Sequence, residues 1–521
     1  MGDAEIDTPR TCSLPHPRFR RVLSAMMGRG RSQAAWSLVL PIAAAELLLL
    51  VATANRYGYH RDELYFRVAA RHPAWGYDDQ PALTPLLGRL SESMFGDSPR
   101  GLRVVSAVAI AVVVVLVALI ARELGAGRAG QTVAALATAA SGAAMAVGHL
   151  LSTTTFDVLV WVLVVFLTVR ILGGGDERQW LLVGLVAGVG LENKQLVLLL
   201  LAALASGCAI ALCWELARSR WLWAGAALAF ALWLPNLAWQ ASHGWPQLEL
   251  AGKIGQEDPL GYRAQLLPLQ LLLIGPLLAP LWLGGLWWLL RRDEARPYRP
   301  LGLAYLALLA IAFVTGAKPY YTMGLLLTLL GAGGVVAERW LGDRRGRRLA
   351  LGVAIAVSAV VAAVLTLPLV PVEDVHATPI SAVNEDAIET IGWPAFTATV
   401  ARVWRRVPPS ERANAVVYAS NYGEAGAIAR YGPAFGIPRA YSGHNAFWRF
   451  GRPPDSARPI VVVGYRNPAS FRNVFTGCTR YARVDNGVAV DNEEQGAPVW
   501  ICATTVEPWS RLWPKLHSLD P

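Results

Sequence analysis

Long apolar runs separated by polar connectors make up most of the first 370 residues. A helix needs about 20 mainly apolar residues to cross a bilayer core, where only internally hydrogen-bonded backbone is stable. The pattern therefore predicts a polytopic α-helical membrane protein whose transmembrane domain covers residues 35–370. About eleven helices are expected, over residues 36–54, 103–120, 131–148, 156–169, 180–190, 196–214, 221–240, 266–290, 301–315, 322–336 and 349–369.

The pattern changes beyond residue 370. Two strand-like runs, AVVYAS and PIVVVGY, alternate with turns rich in Gly and Pro, and a helix is predicted after NYGEAGAIARYG. Residues 371–521 are therefore predicted to form a small α/β domain outside the membrane. Cys478 and Cys502 in this region are candidates for a disulfide.

The charge pattern predicts the orientation of the helices. Only 16% of the residues are charged, against about 25% in a soluble protein. Arginines concentrate in every second connector and so mark the cytoplasmic side. The tail, residues 1–34, lacks the apolar core of a signal peptide. We expect a multi-pass plasma-membrane protein with a cytoplasmic N-terminus and an extracytoplasmic C-terminal domain. The net charge of +10 comes from arginine clusters that flank the apolar spans and do not cover one surface, so no nucleic-acid partner is expected.

One outer connector, residues 55–100, is longer than a link between two helices requires. It carries two pairs of carboxylates, Asp62–Glu63 and Asp78–Asp79, among several aromatic residues. Long loops of this kind are usually functional, and a half-buried carboxylate has a raised pKa suited to a general base. The alternative interpretation is solvated loop charge. Apolar residues at helical spacing also predict an amphipathic helix in this connector, at Leu83, Leu86, Leu87, Leu90 and Met94.

Ionisable residues also occur at the outer ends of predicted spans. Lys194 and Lys318 lie at membrane boundaries, where a lysine either extends toward water or binds an anionic head group. Asp157 lies at the edge of a span, where an acid is functional or caps a helix. The sequence has no HExxH, CxxC or P-loop motif, and four carboxylates in one loop are a weak indication of a divalent cation. We expect no cofactor and no resident metal.

The first connector resembles that of a known enzyme family. An Asp-Glu pair just after the first span, the segment WGYDDQP and the apolar helix that follows are similar to the dolichyl-phosphate-mannose-protein mannosyltransferase-like family (glycosyltransferase family 39). Its members are integral membrane enzymes with the GT-C fold and are related to bacterial aminoarabinose lipid A transferases. The resemblance covers residues 36–370. The segments NYGEAGAIARYG and YSGHNAFW resemble the outer domain of bacterial members.

The resemblance implies an inverting transfer of a sugar, hexosyl or pentosyl, from a polyprenyl-phosphate donor to a hydroxyl of a protein, lipid or glycan at the outer face. By position, Asp62 matches the family's catalytic base and Glu63 its neighbour, and both are expected to be catalytic. Gln80 falls where many relatives have a phosphate-binding Lys, and Tyr65 where the aminoarabinose enzymes have an Arg. Neither side chain supplies positive charge. The donor phosphate is expected near Arg61, Asp79, Gln80, Lys194, Lys318 and Tyr321.

Two other functions fit parts of the sequence. A transporter or lipid flippase would place ionisable residues deep in several spans, whereas the polar residues here collect at the outer edge. A non-catalytic glycan-binding membrane protein would use the YSGHNAFW segment, where His444, Asn445 and Trp448 can stack on sugar. These three residues fit the core of a domain equally well. The transferase hypothesis accounts for more of the sequence.

Overall fold

The computed structural model describes residues 32–467, 469 and 471–519, so the predicted cytoplasmic tail lies almost wholly outside the described residues. Up to residue 366 the structure is helical. In chain order, helices α1–α16 are Trp36–Thr53, Arg61–Ala69, Leu83–Phe95, Pro99–Glu123, Arg128–Ala139, Gly142–His149, Thr153–Leu172, Gln179–Leu191, Leu196–Ile210, Arg220–Ser242, Pro246–Glu257, Pro259–Ile274, Ala279–Arg291, Arg299–Thr315, Met323–Leu341 and Arg345–Thr366.

Within the described residues, seven helices are long and apolar enough to cross a membrane, namely α1, α4, α7, α10, α14, α15 and α16. Helices α14 and α15 reach this length together with the short 3-10 turns that precede them. Two bent pairs, α5 with α6 and α12 with α13, raise the number to nine if each pair is one span. The prediction of a polytopic helical membrane protein is confirmed. Helices α8 and α9 stand at the predicted fifth and sixth spans but have only 13 and 15 residues. The predicted count of eleven is not confirmed.

Both bends have a local cause in the sequence. The chain turns by 83° between α12 and α13. There Gly275 has φ +100°, a conformation that glycine adopts without strain, and Pro276 cannot donate the next helical hydrogen bond. The 55° bend between α5 and α6 lies at Ser141, whose hydroxyl caps α6 by accepting from the Ala144 amide at 3.2 Å. Residues at both bends line the cavity described below.

The long first connector folds into two helices. Helix α2 begins with a capping box. The His60 side chain accepts from the Asp62 amide at 3.2 Å, and the Glu63 carboxylate accepts from the His60 amide at 2.8 Å. Helix α3 coincides with the predicted amphipathic helix, and four of its apolar side chains are exposed: Leu86, Leu90, Met94 and Phe95.

The C-terminal region contains the only strands of the described residues. Helices α17–α21 are Ile380–Val383, Glu385–Ile388, Trp393–Trp404, Tyr422–Tyr431 and Trp509–Leu512, and strands β1–β7 are Val416–Ala419, Ala440–Tyr441, Ile460–Val463, Phe475–Thr476, Thr479–Arg483, Pro498–Cys502 and Thr504–Thr505. Five strands form a sheet in the order β2-β1-β3-β6-β5, and β4 pairs with β7. Strand β1 is parallel to β2 and β3, whereas β6 is antiparallel to β3 and β5. The two predicted strands are present as β1 and β3. The helix predicted after NYGEAGAIARYG lies instead within that segment, as α20, because Asn421 caps its start. Cys478 and Cys502 form a disulfide.

The C-terminal region and the first connector share one hydrophobic core. Leu64 and Tyr65 of α2 belong to the same buried cluster as Val400 of α19 and Val417 of β1. A Cβ atom at Gly426 of α20 would lie 2.9 Å from the backbone of Leu64, so α20 packs directly on α2 because this position has no side chain. The close approach brings the start of α20 to the carboxylate of Asp62.

Candidate active site

Asp62 lies on the wall of a cavity of about 720 Å³. Its side chain is 37% exposed, so it is half-buried and accessible from the cavity. The Tyr422 hydroxyl donates to Asp62 Oδ1 at 2.8 Å, and Oδ2 lies 4.0 Å from His60 Nδ1. The capping box at His60 fixes the first turn of α2 and with it the direction in which Asp62 points.

Glu63 occupies a different environment from its neighbour. It is fully buried and forms a bidentate ion pair with Arg103 of α4, with Nε–Oε1 and Nη2–Oε2 distances of 2.8 and 2.7 Å. Its two oxygens also accept from the backbone amides of His60 at 2.8 Å and Leu151 at 2.9 Å. Every one of these four partners is a donor. Glu63 therefore anchors α2 to two other segments and has no place in the cavity wall, which is a positioning role and not that of a proton acceptor.

The second carboxylate pair is divided in the same way. The Tyr65 hydroxyl donates to Asp79 Oδ1 at 2.5 Å, and the Tyr65 ring lies 5.0 Å from that of Tyr422. Burial raises the pKa of Asp79 from 3.8 to about 7, since its neighbours remove it from water and the Tyr65 hydrogen bond offsets only part of the effect. Asp78 is fully buried and accepts from Arg449 Nε at 2.6 Å, which ties the connector to the C-terminal region.

Lys194 and Lys318 form a cationic cluster, in which Lys194 lies just after the end of α8. Lys194 Nζ donates to the Thr154 hydroxyl at 3.1 Å and lies 5.7 and 5.3 Å from the ring centres of Tyr320 and Tyr321. Thr154 and Tyr320 line the same cavity as Asp62. Burial lowers the pKa of Lys194, and nearby Lys318 lowers it further, while Asp157 opposes the shift. An anion in the cavity would relieve the repulsion between the two lysines.

The other three predicted phosphate-binding residues have different surroundings. Arg61 forms an ion pair with Glu493 and lies 4.9 Å over the Tyr422 ring, so it faces the C-terminal region. Lys318 is paired with Glu257 at 3.3 Å. Gln80 is 4% exposed, and neither atom of its amide has a hydrogen-bond partner among the described residues. The structure thus groups Lys194, Lys318 and Tyr321, and separates Arg61 from them.

Tyr422 and Arg103 are parts of this site that sequence reasoning missed. Tyr422 follows the N-cap Asn421 of α20, 360 residues from Asp62, and no local pattern marks it. Arg103 stands at the start of a long apolar helix, where an arginine reads as a boundary charge. The YSGHNAFW segment belongs to the interior, since His444 and Asn445 are buried and Trp448 Nε1 donates to the Trp513 carbonyl at 2.8 Å.

Comparisons with known proteins identify the fold. The family model for dolichyl-phosphate-mannose-protein mannosyltransferase matches residues 79–239. The structure of ArnT from Cupriavidus metallidurans bound to undecaprenyl phosphate is similar, with a TM-score of 0.59 and 14% identity, over 90% of this chain and 98% of that one. This chain has the GT-C fold. Arabinofuranosyltransferase AftD from Mycobacteria is similar at a TM-score of 0.50 and 16% identity, over 91% of this chain and 40% of AftD.

No curated protein matches the sequence. The resemblance inferred from the connector is confirmed by the family match and by these two GT-C structures. At such low identity the structural likeness establishes the fold alone. The roles of individual residues must therefore come from the geometry of this site.

Proposed function

We propose that this protein is an inverting glycosyltransferase that moves a hexosyl or pentosyl group from a polyprenyl-phosphate donor to an acceptor hydroxyl at the outer face of the membrane. One observation carries the proposal. A half-buried carboxylate, Asp62, lines the same cavity as Thr154 and Tyr320, which contact the half-buried side chain of Lys194. The cavity would therefore present a proton acceptor to a substrate whose phosphate lies near Lys194, which contacts the cavity wall through Thr154 and Tyr320.

Asp62 is suited to the role of general base. An acceptor hydroxyl has a high pKa, and a positioned base is worth about 10²–10⁴-fold in rate. The Tyr422 hydroxyl holds Oδ1 in place, so Oδ2 remains to accept the proton. Glu63 keeps the backbone of Asp62 in register through its ion pair with Arg103 and acts as a positioning residue.

Lys194 is the proposed partner of the donor phosphate, with Lys318 and Tyr321 beside it. Lysine is a compact point charge that binds phosphate readily, and a buried cation stabilises a leaving phosphate more strongly than one in bulk water. ArnT, whose fold this chain shares, has been solved with undecaprenyl phosphate bound. Lys194 supplies here the charge that Gln80 lacks.

The rest of the cavity wall suits a lipid tail. It is formed largely by apolar side chains of α12 and α16 and of the bend after α12, among them Leu269, Leu272, Leu273, Leu277, Val357 and Val361. These surfaces lie in segments that are long and apolar enough to cross a membrane. A polyprenyl chain can therefore remain in an apolar environment while its phosphate reaches the polar end of the cavity.

The proposed step is a single displacement. The acceptor oxygen forms a bond to the anomeric carbon, and its proton passes to Asp62. The bond from that carbon to the phosphate oxygen breaks, and its electron pair leaves with the polyprenyl phosphate. Attack from the side opposite the phosphate inverts the anomeric centre, while Lys194 stabilises the charge that develops on the phosphate.

The disulfide supports an extracytoplasmic site. Disulfides persist in oxidising compartments and are rare in the cytosol, and Cys478–Cys502 lies in the region that packs on Asp62 and its helix. We propose that the arginine-rich connectors face the cytoplasm, as the positive-inside rule predicts.

Asp62→Asn in proteoliposomes tests the assignment of the base. We expect transfer from a polyprenyl-phosphate sugar to fall by about 10²–10⁴-fold, with unchanged membrane insertion. Asp386→Asn is the matched comparison. Asp386 lines the same cavity, but its carboxylate lies 3.8 Å from Nε2 of His60, whereas the carboxylate of Asp62 lies on the Nδ1 side and accepts from Tyr422. Full activity in Asp62→Asn, or an equal loss in both variants, would refute Asp62 as the base.

The donor class is tested by the lipid that co-purifies with the protein. We expect mass spectrometry to find a polyprenyl phosphate, with or without its sugar, and to find less of it in Lys194→Met. A transporter or flippase would instead move such a lipid across the bilayer without forming a glycoside. A non-catalytic glycan-binding protein would hold neither lipid nor activity.

A further inference from the structure

Three glutamates meet where the C-terminal region contacts the first connector. Glu389 directly follows α18, and Glu493 and Glu494 precede β6. One carboxylate oxygen from each lies within 4.8 Å of the others. The Glu493 amide also donates to Glu389 Oε1 at 3.4 Å, so the cluster joins two segments that are far apart in sequence.

Two of the three glutamates, Glu389 and Glu494, are buried and have carboxylate oxygens without a hydrogen-bond partner among the described residues. Glu389 is 5% exposed and Glu494 is 4% exposed. Among the described residues, neither oxygen of Glu494 nor Oε2 of Glu389 has a hydrogen-bond partner. Leaving a carboxylate desolvated and unpaired is strongly unfavourable. The unpartnered oxygens of Glu389 and Glu494, which lie beside the carboxylate of Glu493, therefore point to a ligand that neutralises them.

The local charge shows what that ligand must supply. Arg61 is the cation paired with the cluster, and it contacts Glu493. Three carboxylates and one guanidinium leave two negative charges. On the other side of Glu493, Asn421 Nδ2 donates to Oε1 at 3.3 Å, and His60 faces Glu389. A divalent cation would offset most of this negative charge, to which buried Glu424 near Glu494 also contributes.

We propose that Glu389, Glu493 and Glu494 bind one oxygen-preferring divalent cation of the Ca²⁺ class. The donor set is entirely carboxylate, which suits hard cations and not Zn²⁺ or Cu²⁺. The spread of the three oxygens suits ligands that share a Ca²⁺ ion at about 2.3–2.6 Å. Exposed Glu493 gives the ion a path from solvent and room for bound water. Ca²⁺ also accepts a wider range of ligand geometries than Mg²⁺, which requires a near-octahedral shell.

Such an ion would position the proposed base without touching substrate. It would fix Glu493 and, through it, Arg61, which lies over the Tyr422 ring. The Tyr422 hydroxyl in turn donates to Asp62 Oδ1. The ion therefore stabilises the packing of the C-terminal region against α2. Sequence analysis predicted no metal because its ligands come from two distant segments and none belongs to the first connector.

Calcium binding to the full-length protein in detergent is the direct test, and it does not depend on sugar transfer. After removal of metals with EDTA, we expect equilibrium dialysis with ⁴⁵Ca²⁺ to show one bound ion per chain and thermal unfolding to shift upward with added CaCl₂. Mg²⁺ and Mn²⁺ serve as competitors. Loss of a ligand should weaken binding by more than the about 10–100-fold that outer-shell substitutions cost.

Glu494→Gln is the decisive variant, and Glu411→Gln, an exposed glutamate of the same region, is its control. In EDTA, Glu494→Gln should be at least as stable as the natural protein, because one repelling charge is gone, yet calcium should no longer stabilise it. Glu493→Gln alters the exposed ligand and serves if the buried variant does not fold. Absence of stoichiometric binding, an equal calcium response in Glu494→Gln and the natural protein, or stabilisation by acid alone would overturn the proposal in favour of protonated glutamates.

Discussion

The buried ion pair between Glu63 and Arg103 is expected to hold α2, the helix that carries the proposed base, in place. Glu63→Gln retains the volume of the side chain but removes its charge. The natural carboxylate accepts four hydrogen bonds, two from Arg103 and two from the backbone amides of His60 and Leu151. In the variant, the amide nitrogen would face donors, and the guanidinium of Arg103, which is 1% exposed, would lose its counter-charge.

The magnitude follows from this geometry. Removing one partner of a buried ion pair costs about 3–5 kcal/mol, because an uncompensated charge remains in the interior. Proteins of ordinary stability have only about 5–15 kcal/mol in total, so the loss is a large fraction. Glu507→Gln, which breaks the exposed pair with Lys515, is the matched control. Such a surface pair contributes about 0–1 kcal/mol.

Unfolding in detergent, followed by tryptophan fluorescence, measures both variants. We expect Glu63→Gln to unfold at a clearly lower temperature than Glu507→Gln and to lose transfer activity, since Asp62 is adjacent to the perturbed residue. Replacing Glu63 and Arg103 together with Leu and Met should recover part of the stability, because no buried charge is then unpaired. Recovery will be partial, since Arg103 also donates to the carbonyls of Ala54 and Gly58 at 2.7 and 2.8 Å.

Three results would refute this reasoning. Equal stability of Glu63→Gln and Glu507→Gln would show that the pair does not hold α2. A double variant less stable than Glu63→Gln would show that the unpaired charge is not the main cost. Full loss of activity with unchanged stability would return Glu63 to a direct chemical role.

Three further predictions concern the rest of the site. Lys194→Met should lower kcat/KM for the donor by about 10–100-fold, the effect of losing a hydrogen bond to a charged group, whereas Lys515→Met in steady-state assays should leave it unchanged; equal values would exclude Lys194 as the phosphate partner. Because the pKa of Asp79 is raised to about 7, the folded protein binds more protons than the unfolded chain between pH 4 and 7, so Asp79 opposes folding increasingly as pH rises through that window. Asp79→Asn should therefore flatten the fall in melting temperature between pH 5 and 8, and an unchanged profile would contradict the raised pKa. Replacing Cys478 and Cys502 with Ala should destabilise the C-terminal region by about 2–4 kcal/mol, visible as faster limited proteolysis, and equal proteolysis with and without the bond would contradict a stabilising role.

Most of the helical membrane part could be predicted from the sequence, because the constraint that a bilayer places on the backbone acts on each segment separately. A run of apolar residues must become a helix wherever it lies in hydrocarbon, and the first long connector is conspicuous as an interruption. The short helices α8 and α9 show the limit of that rule. Their sequences are apolar throughout, and hydropathy alone does not say whether 13 or 15 residues cross a bilayer.

Adjacent carboxylates show the second limit. Asp62 and Glu63 have the same chemistry and neighbouring positions, and apart from the family resemblance the sequence offers no way to tell them apart. On a helix, neighbouring residues point in directions about 100° apart, so the packing around α2 alone decides which one meets the cavity and which one meets Arg103. The same holds for Asp78, bound to Arg449, and Asp79, bound to Tyr65.

The sequence by itself determined the class of the protein, the helical membrane part, the connector that carries the candidate base and the resemblance to a glycosyltransferase family. All of these follow from local hydropathy, charge and short motifs. Only the tertiary structure decided that Glu63 pairs with Arg103, that Tyr422 donates to Asp62, that Lys194 contacts residues of the cavity wall while Arg61 pairs with Glu493, and that three distant glutamates meet. The physical reason is that burial and pairing depend on groups brought together from distant parts of the chain, and these contacts determine whether a carboxylate accepts a proton, holds a helix or binds a cation.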